Sequence, residues 1–385
     1  MHWPFRVQKR RDEKKITDGI FSHFTLPEAY RYSNHSLLSC VTELFKNVPQ
    51  VMLKEHYRCH PKIIEFCNKK FYNNQLVILS SPKTDKPPLV VYKTVEGNHA
   101  REHINQRQID VITGEVIPQQ HLNVNDESIG IISPYRNHTK ALESAFEGTM
   151  VKAVTVDKFQ GQEKDTIILC TVDNEISDFT DNPNRLNVAV SRAVKQLIIV
   201  TDGNKSDKSN NMSDLIKYVQ YNNLEVIQSE IYSVFDYLYR SYARSREELL
   251  KKQKKVSEFD SENLMYGLIR RVLAAEPFTK LDVVLHVPLK MIIRDPHHLN
   301  DEETVYAMNI ILTHVDFLIF DKLSKQPVLV VEVDGYAFHN QNTRQSQRDI
   351  LKDDILRKYN IPIARFKTNE SNEEIRLAER LVSII

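Results

Sequence analysis

At 385 residues, 41% hydrophobic and 27% charged, the chain has room for two or three domains that each bury a core. Lys plus Arg number 52 against 51 Asp plus Glu, so no global charge excess implies a nucleic-acid partner, and any basic surface is local. No apolar run is long enough to span a bilayer, the charged Met1–Lys15 stretch lacks the apolar core of a signal peptide, and Cys40, Cys59, Cys67 and Cys170 show no paired spacing; the expectation is a cytoplasmic protein without disulfides. None of the nine glycines builds a phosphate loop ending in Gly-Lys-Ser/Thr, which excludes a self-contained P-loop ATPase.

In chain order, Leu37, Leu38, Val41, Leu44 and Phe45 recur at helical spacing, with Ser33, Asn34 or Ser36 available as the cap. Apolar runs at Leu89–Tyr92, Ile129–Ser133, Val154–Val156, Thr166–Val172 and Leu197–Thr201 alternate with helical stretches, which predicts a parallel sheet covered on both faces. Asp202–Ser213 has the composition of a mobile connector. Ile231–Val256 reads as helical, ending in a lysine-rich face. A second α/β unit starts near Asp260: a helix to about Ala275, then strands at Val283–Val287, Val315–Phe320 and Val328–Val333. The last two form a hairpin around Asp321–Gln326. A helix at Asp349–Tyr359, a strand at Ile363–Phe366 and a helix at Asn372–Ile384 complete it.

The first unit carries Glu55-His56-Tyr57-Arg58-Cys59-His60-Pro61, Ser133-Pro134-Tyr135, Val154-Thr155-Val156-Asp157-Lys158-Phe159-Gln160-Gly161-Gln162-Glu163 and Arg185-Leu186-Asn187-Val188-Ala189-Val190-Ser191-Arg192-Ala193. In this order the segments resemble the signature motifs of the second RecA-like domain of superfamily 1 helicases. The resemblance implies that Arg58 and Arg192 aim at the γ-phosphate of ATP, where transition-state charge accumulates. It gives Glu163 to the ribose, Gln160 and Gly161 to the turn between nucleotide and nucleic acid, and Thr155 to the sugar–phosphate backbone. His56, Cys59, His60 and Cys67 also admit a zinc reading, which their loose spacing disfavours. The phosphate loop and Mg-binding acids of such helicases belong to a first RecA-like domain that would lie before residue 1. The chain is therefore expected to be a fragment, or to be completed by a separate polypeptide carrying that half.

In the second unit, acidic residues interrupt apolar strands: His314-Val315-Asp316-Phe317 and Val330-Val331-Glu332-Val333-Asp334-Gly335. Strand alternation puts Glu332 and Asp334 on one face, and a hairpin lets Asp316 meet Glu332 across the ladder. Converging carboxylates repel unless a cation joins them, and hard oxygen ligands suit Mg or Mn. With His339, Arg348-Asp349, Asp353, Arg365 and the helix acid Glu262, this arrangement resembles the PD-(D/E)XK nucleases, in the branch like very-short-patch-repair endonucleases. The resemblance implies metal ligands at Asp316, Glu332 and the Val333 carbonyl, with Asp334 and His339 as further catalytic residues. Asp334 stands where the superfamily usually has Lys, so His339 becomes the general acid or base, and Lys352 an alternative donor.

The reading is an α/β chain: a RecA-like parallel-sheet domain followed by a smaller restriction-endonuclease-like domain. Residues 1–50 are a connector remnant, 51–205 the RecA-like domain, 206–258 a helical linker and 259–385 the nuclease domain. The expected function is the C-terminal part of an ATP-dependent DNA helicase–nuclease in DNA repair or antiviral defence, with Mg or Mn, and ATP only once the phosphate-loop half is supplied. The alternatives are a non-catalytic nucleic-acid-binding or regulatory module, and half of an RNA helicase.

Overall fold

The structure is a computed structural model and describes residues 11–31, 33–82, 84–205, 208–253, 255–293, 295–308, 313–335 and 343–385. Two short strands, β1 (Glu55–His56) and β2 (Val77–Ile78), pair in parallel beside the first sheet. That sheet has six parallel strands, β3 (Leu89–Lys93), β6 (Ile129–Ser133), β7 (Lys152–Thr155), β8 (Lys164–Cys170), β9 (Ala193–Thr201) and β10 (Glu225–Gln228), in the order β10-β3-β9-β8-β6-β7. A hairpin of β4 (Ala100–Arg101) and β5 (Ile104–Asn105) projects between β3 and the helix Gln106–Val111. Every residue of β6 is buried, the signature of a strand covered on both faces. One apolar cluster, around Ile63, Phe66, Phe159 and Leu197, covers one face; another, around Tyr92, Ile112, Leu142 and Ile198, covers the other.

The helix predicted near residue 37 is Leu37–Leu44, with Ser36 as its N-cap in a capping box with Ser39. The connector expected at Asp202–Ser213 and the linker expected at 206–258 need correction. Asn211–Tyr221 is a helix whose first turn is tied to Asp181, which accepts from the backbone N–H of Asn211 at 3.0 Å and of Met212 at 2.9 Å. Strand β10 then adds to the edge of the sheet against β3, so the first unit runs past residue 205 to at least Gln228. Its four residues, Glu-Val-Ile-Gln, are too short a run to stand out as a strand. The helical pattern expected over Ile231–Val256 becomes two 3₁₀ turns, Val234–Leu238 and Arg240–Tyr242, before the helix Ala243–Lys251.

The second unit is a four-stranded mixed sheet in the order β11 (Leu281–Pro288), β12 (His314–Asp321), β13 (Pro327–Asp334), β14 (Ile363–Lys367). Asp321 makes the β12–β13 turn, its Oδ1 accepting from Leu323 and Ser324 backbone N–H groups. The helix Asp260–Leu273 and the final helix Glu373–Val382 share one apolar cluster with the inner face of the sheet. Val234 and Phe235, which precede the expected domain start, are buried in that same cluster. The helix Thr343–Lys358 covers the other face through Ile355 and Leu356.

The two units are joined by buried polar contacts. Arg107, 1% exposed, forms a bidentate pair with Asp236 at 3.0 Å on each arm. Beside it Glu373 accepts from the Ser233 hydroxyl at 2.8 Å and the Val234 backbone N–H at 3.1 Å. Asp110 accepts from Ser371, and the Asn372 N–H donates to the Tyr232 carbonyl at 3.2 Å. No helix among the described residues is long and apolar enough to cross a membrane.

Candidate functional sites

Arg58 and Arg192 come together at the amino-terminal edge of the six-stranded sheet. Arg58 leaves β1 in a turn braced by the His56 ring, which accepts from the Cys59 N–H at 2.9 Å. The Cys59 thiol donates to the Ser191 carbonyl at 3.2 Å, which holds that turn against the neighbour of Arg192. Arg192, 2% exposed, ends the helix Pro183–Val190 just before β9 and donates to the Gln162 carbonyl at 3.3 Å. Burial, and then the Arg58 charge, lower its pKa. Glu163, at the start of β8, forms an ion pair with Arg58. These groups, with Leu53, Tyr72 and Asn187, line an open cavity of about 540 Å³.

Two local features deliver Glu163 to this place. Phe159 is buried flat against β6 where residue 130 is glycine; a Cβ there would meet the Phe159 ring at 2.8 Å. The turn that follows needs Gly161, whose φ of +87° suits a residue without a side chain. Gln160 and Gly161 themselves stay exposed on this turn and do not line the cavity. Asn187 and Tyr72, which sequence reasoning passed over, hydrogen-bond each other at 2.9 Å in its wall. His56, Cys59 and His60, read in sequence as zinc candidates, spend their side chains on the turn bonds above and on the Lys62 N–H.

The second site lies between β12, β13 and the helix Thr343–Lys358. The ladder pairs Phe317 with Val331, so one step further Asp316 stands opposite Glu332. Asp316 Oδ2 accepts from the Val333 N–H at 2.8 Å, and the Asp316 N–H points to Glu332 Oε1 at 3.4 Å. Lys352 reaches down from the helix, donating to Glu332 Oε2 at 2.8 Å and to the His314 carbonyl at 3.1 Å. Glu332 is 5% exposed, and its pKa is pushed up to about 7, first by burial and also by Asp316, against the pull of Lys352. Burial alone would lower the Lys352 pKa; the Glu332 carboxylate more than offsets it, leaving the ammonium firmly charged.

Asp334 shares the sheet face of Glu332 but belongs to a different group. Its Oδ1 accepts from Arg365 at 3.0 Å, and the same guanidinium binds Asp353 at 2.7 Å and lies 3.7 Å from Asp349. Arg365 is placed by the parallel register of β13 and β14, which pairs it with Glu332. Three carboxylates around one guanidinium make a structural brace. His339 lies outside the described residues. Glu262 sits 3.3 Å from His286, a residue that sequence reasoning missed. His286 faces Asp316 across the β11–β12 ladder with φ at +49°, and its ring lies 5.5 Å from that of His314. An isolated histidine in an apolar strand offers no signal in sequence.

Among the described residues no group of three or more His, Cys, Asp or Glu side chains is disposed to hold a metal ion. The donor set at Asp316 and Glu332 is two carboxylates and neighbouring backbone carbonyls. That set still fits Mg, which keeps several waters and is commonly bound through one or two carboxylates.

Residues 33–204 match the family described as AAA domain, and residues 257–384 match the family described as protein of unknown function (DUF2726). An uncharacterized ATP-dependent helicase of Caenorhabditis elegans is 33% identical over 197 residues, 46% of this chain and 13% of that protein. One from Methanocaldococcus jannaschii is 27% identical over 224 residues, 51% of this chain and 34% of that protein. The solved C-terminal domain of a possible DNA helicase from Lactobacillus plantarum WCFS1 is 18% identical, with a TM-score of 0.30, over 44% of this chain and 98% of that one. The first unit is thus similar to part of these ATP-dependent helicases. The chain spans between 13% and 34% of the length of the two curated relatives named.

Proposed function

We propose that the chain is the C-terminal portion of a cytoplasmic, ATP-dependent DNA helicase–nuclease that serves repair or defence against foreign DNA. The convergence of Asp316, Glu332 and Lys352 in an otherwise apolar sheet carries the nuclease part of this reading. A buried and a half-buried carboxylate with one ammonium are a group in deficit of positive charge, which a divalent cation relieves. When bound, Mg would supply Lewis acidity and a nucleophilic water at neutral pH. Asp316 and Glu332 would hold it, with the Val333 carbonyl beside them. Lys352 fixes the Glu332 carboxylate and brings to the site the positive charge that Asp334, engaged with Arg365, does not provide.

In the first unit, Arg58 and Arg192 face a cavity fit for a polyanion, and Glu163 can exchange its ion pair with Arg58 for a ribose hydroxyl. ATP turnover then requires the phosphate-loop half, in a preceding segment or a separate polypeptide. The test is nicking of supercoiled plasmid by the whole chain with Mg, Mn, Ca or EDTA. The whole chain is needed because Val234 and Phe235 lie in the core of the C-terminal unit. The reading expects cleavage with Mg or Mn and none with EDTA. Cleavage that survives EDTA contradicts it, and no cleavage with any metal favours a non-catalytic binding module.

A further inference from the structure

The opposite, carboxyl-terminal edge of the large sheet carries a feature that the helicase motifs do not account for. Four side chains from four separate segments stack on one another. The His103 ring lies on Tyr135 at 4.2 Å and 25°, Tyr135 on Phe179 at 5.3 Å and 13°, and Arg185 caps Phe179 at 3.9 Å. Tyr135 follows the end of β6, and its hydroxyl is fixed by Asp173 at 3.1 Å and Ser177 at 3.2 Å. Asp173 also accepts from Thr180 at 2.7 Å, which folds the segment bearing Phe179 over the tyrosine.

Three residues around this stack, Glu102, His103 and Val172, have positive φ. Val172, wholly buried, has φ at +67°, an outlier for a β-branched residue. Two amides hold it there: Asn105 donates to its carbonyl at 2.8 Å, and Gln108 accepts from its N–H at 3.0 Å. The turn between β4 and β5 consists of Glu102 and His103, both at positive φ, where glycine or asparagine is usual. Asn137 pins that turn through the Glu102 carbonyl at 3.1 Å. Strain of this kind persists where a site needs it. Here it sets an exposed imidazole as the outermost tier of the stack, and the helix that follows Tyr135 carries the exposed Arg136 and Lys140.

We infer that this stack is a base-stacking lip for single-stranded nucleic acid, with an unpaired base resting on His103 and the strand running toward Arg185 and Thr155. Open α/β sheets bind ligands beyond the carboxyl ends of their strands, and Thr155 ends β7 on this edge. A duplex hides the faces of its bases, whereas an unpaired base offers one to an exposed ring. The neighbouring cations suit the phosphates. The inference rests on the proposed nucleic-acid function and adds to it a contact with the base, where the motifs imply only backbone contacts.

The experiment is fluorescence anisotropy of the whole chain with labelled oligothymidine and oligouridine of about twelve nucleotides, and with an abasic oligomer of equal length. Replacing His103 by Ala should weaken binding of both base-bearing oligomers about five-fold to a hundredfold. It should leave the abasic oligomer and the salt dependence unchanged, and His103→Phe should restore affinity. Unchanged affinity of His103→Ala for the base-bearing strands overturns the lip, as does equal weakening with the abasic strand. A wild-type chain that binds none of the three oligomers overturns the proposed function itself.

Discussion

The cavity at Arg58 and Arg192 and the pocket at Asp316 and Glu332 are opposite solutions to the same problem of holding like charges together. The first gathers one exposed and one buried guanidinium around one carboxylate in the wall of an open cavity, where Arg192 feels both its burial and the Arg58 charge. The second gathers a half-buried and a buried carboxylate around one ammonium, and desolvation raises the buried one, Glu332, to about 7. On the proposed reading the cationic site takes an incoming polyanion, and the acidic one a cation. Each takes its charge from side chains on different segments, so each depends on the packing behind it.

The contrast can be broken at either end, and the largest effect is expected at the cationic site. Alone, the chain should show no ATPase above background. With the phosphate-loop half supplied, Arg192→Ala or Arg58→Ala should lower steady-state turnover by about three to five orders of magnitude. Wild-type rates in either variant would show that these arginines do not face the nucleotide. At the acidic site, Asp316→Asn and Glu332→Gln should each reduce Mg-dependent nicking to background in gel assays.

Between the two sites, Arg107 ties the units together. Arg107→Ala would leave Asp236 buried without its partner, at a cost of about 3–5 kcal/mol in urea unfolding. A loss under 1 kcal/mol would mean that the contact does not hold the units together. Glu373 sharpens the same point through pH. Burial, partly countered by its hydrogen bond from Ser233, raises its pKa from 4.5 to about 7. The folded state therefore keeps a proton that the unfolded chain releases, so stability is full below pH 4.5 and falls as pH rises through 7. Glu373→Gln should remove this slope, on the order of 3 kcal/mol, in melts taken across that range. The smallest effect is expected from Asp334→Asn. Arg365 keeps Asp353 and Asp349, so the change should cost about 1 kcal/mol in the same unfolding assay and leave nicking within a few-fold.

Much of this was legible in the chain. Asp316 and Glu332 could be paired in advance because strand alternation and the Asp321 turn together set the register. Arg58, Glu163 and Arg192 could be found because each sits in a contiguous motif. The fate of Asp334 could not be read, since it depends on β14 lying parallel to β13 and bringing Arg365 alongside. The union of Arg107, Asp236 and Glu373 was also hidden. These residues are far apart in sequence, and an isolated Arg, Asp or Glu reads as a solvated surface charge until the fold buries it. The four residues of β10 carried too little pattern to reveal that the first sheet continues beyond residue 205.

The claim that the acidic site takes a cation can be tested without turnover. Mn²⁺ binding to the whole chain, followed by electron paramagnetic resonance, should show one site that Mg displaces and that Asp316→Asn and Glu332→Gln each abolish. Mn²⁺ that stays free in the wild-type sample, or binds equally well to both variants, would contradict the account.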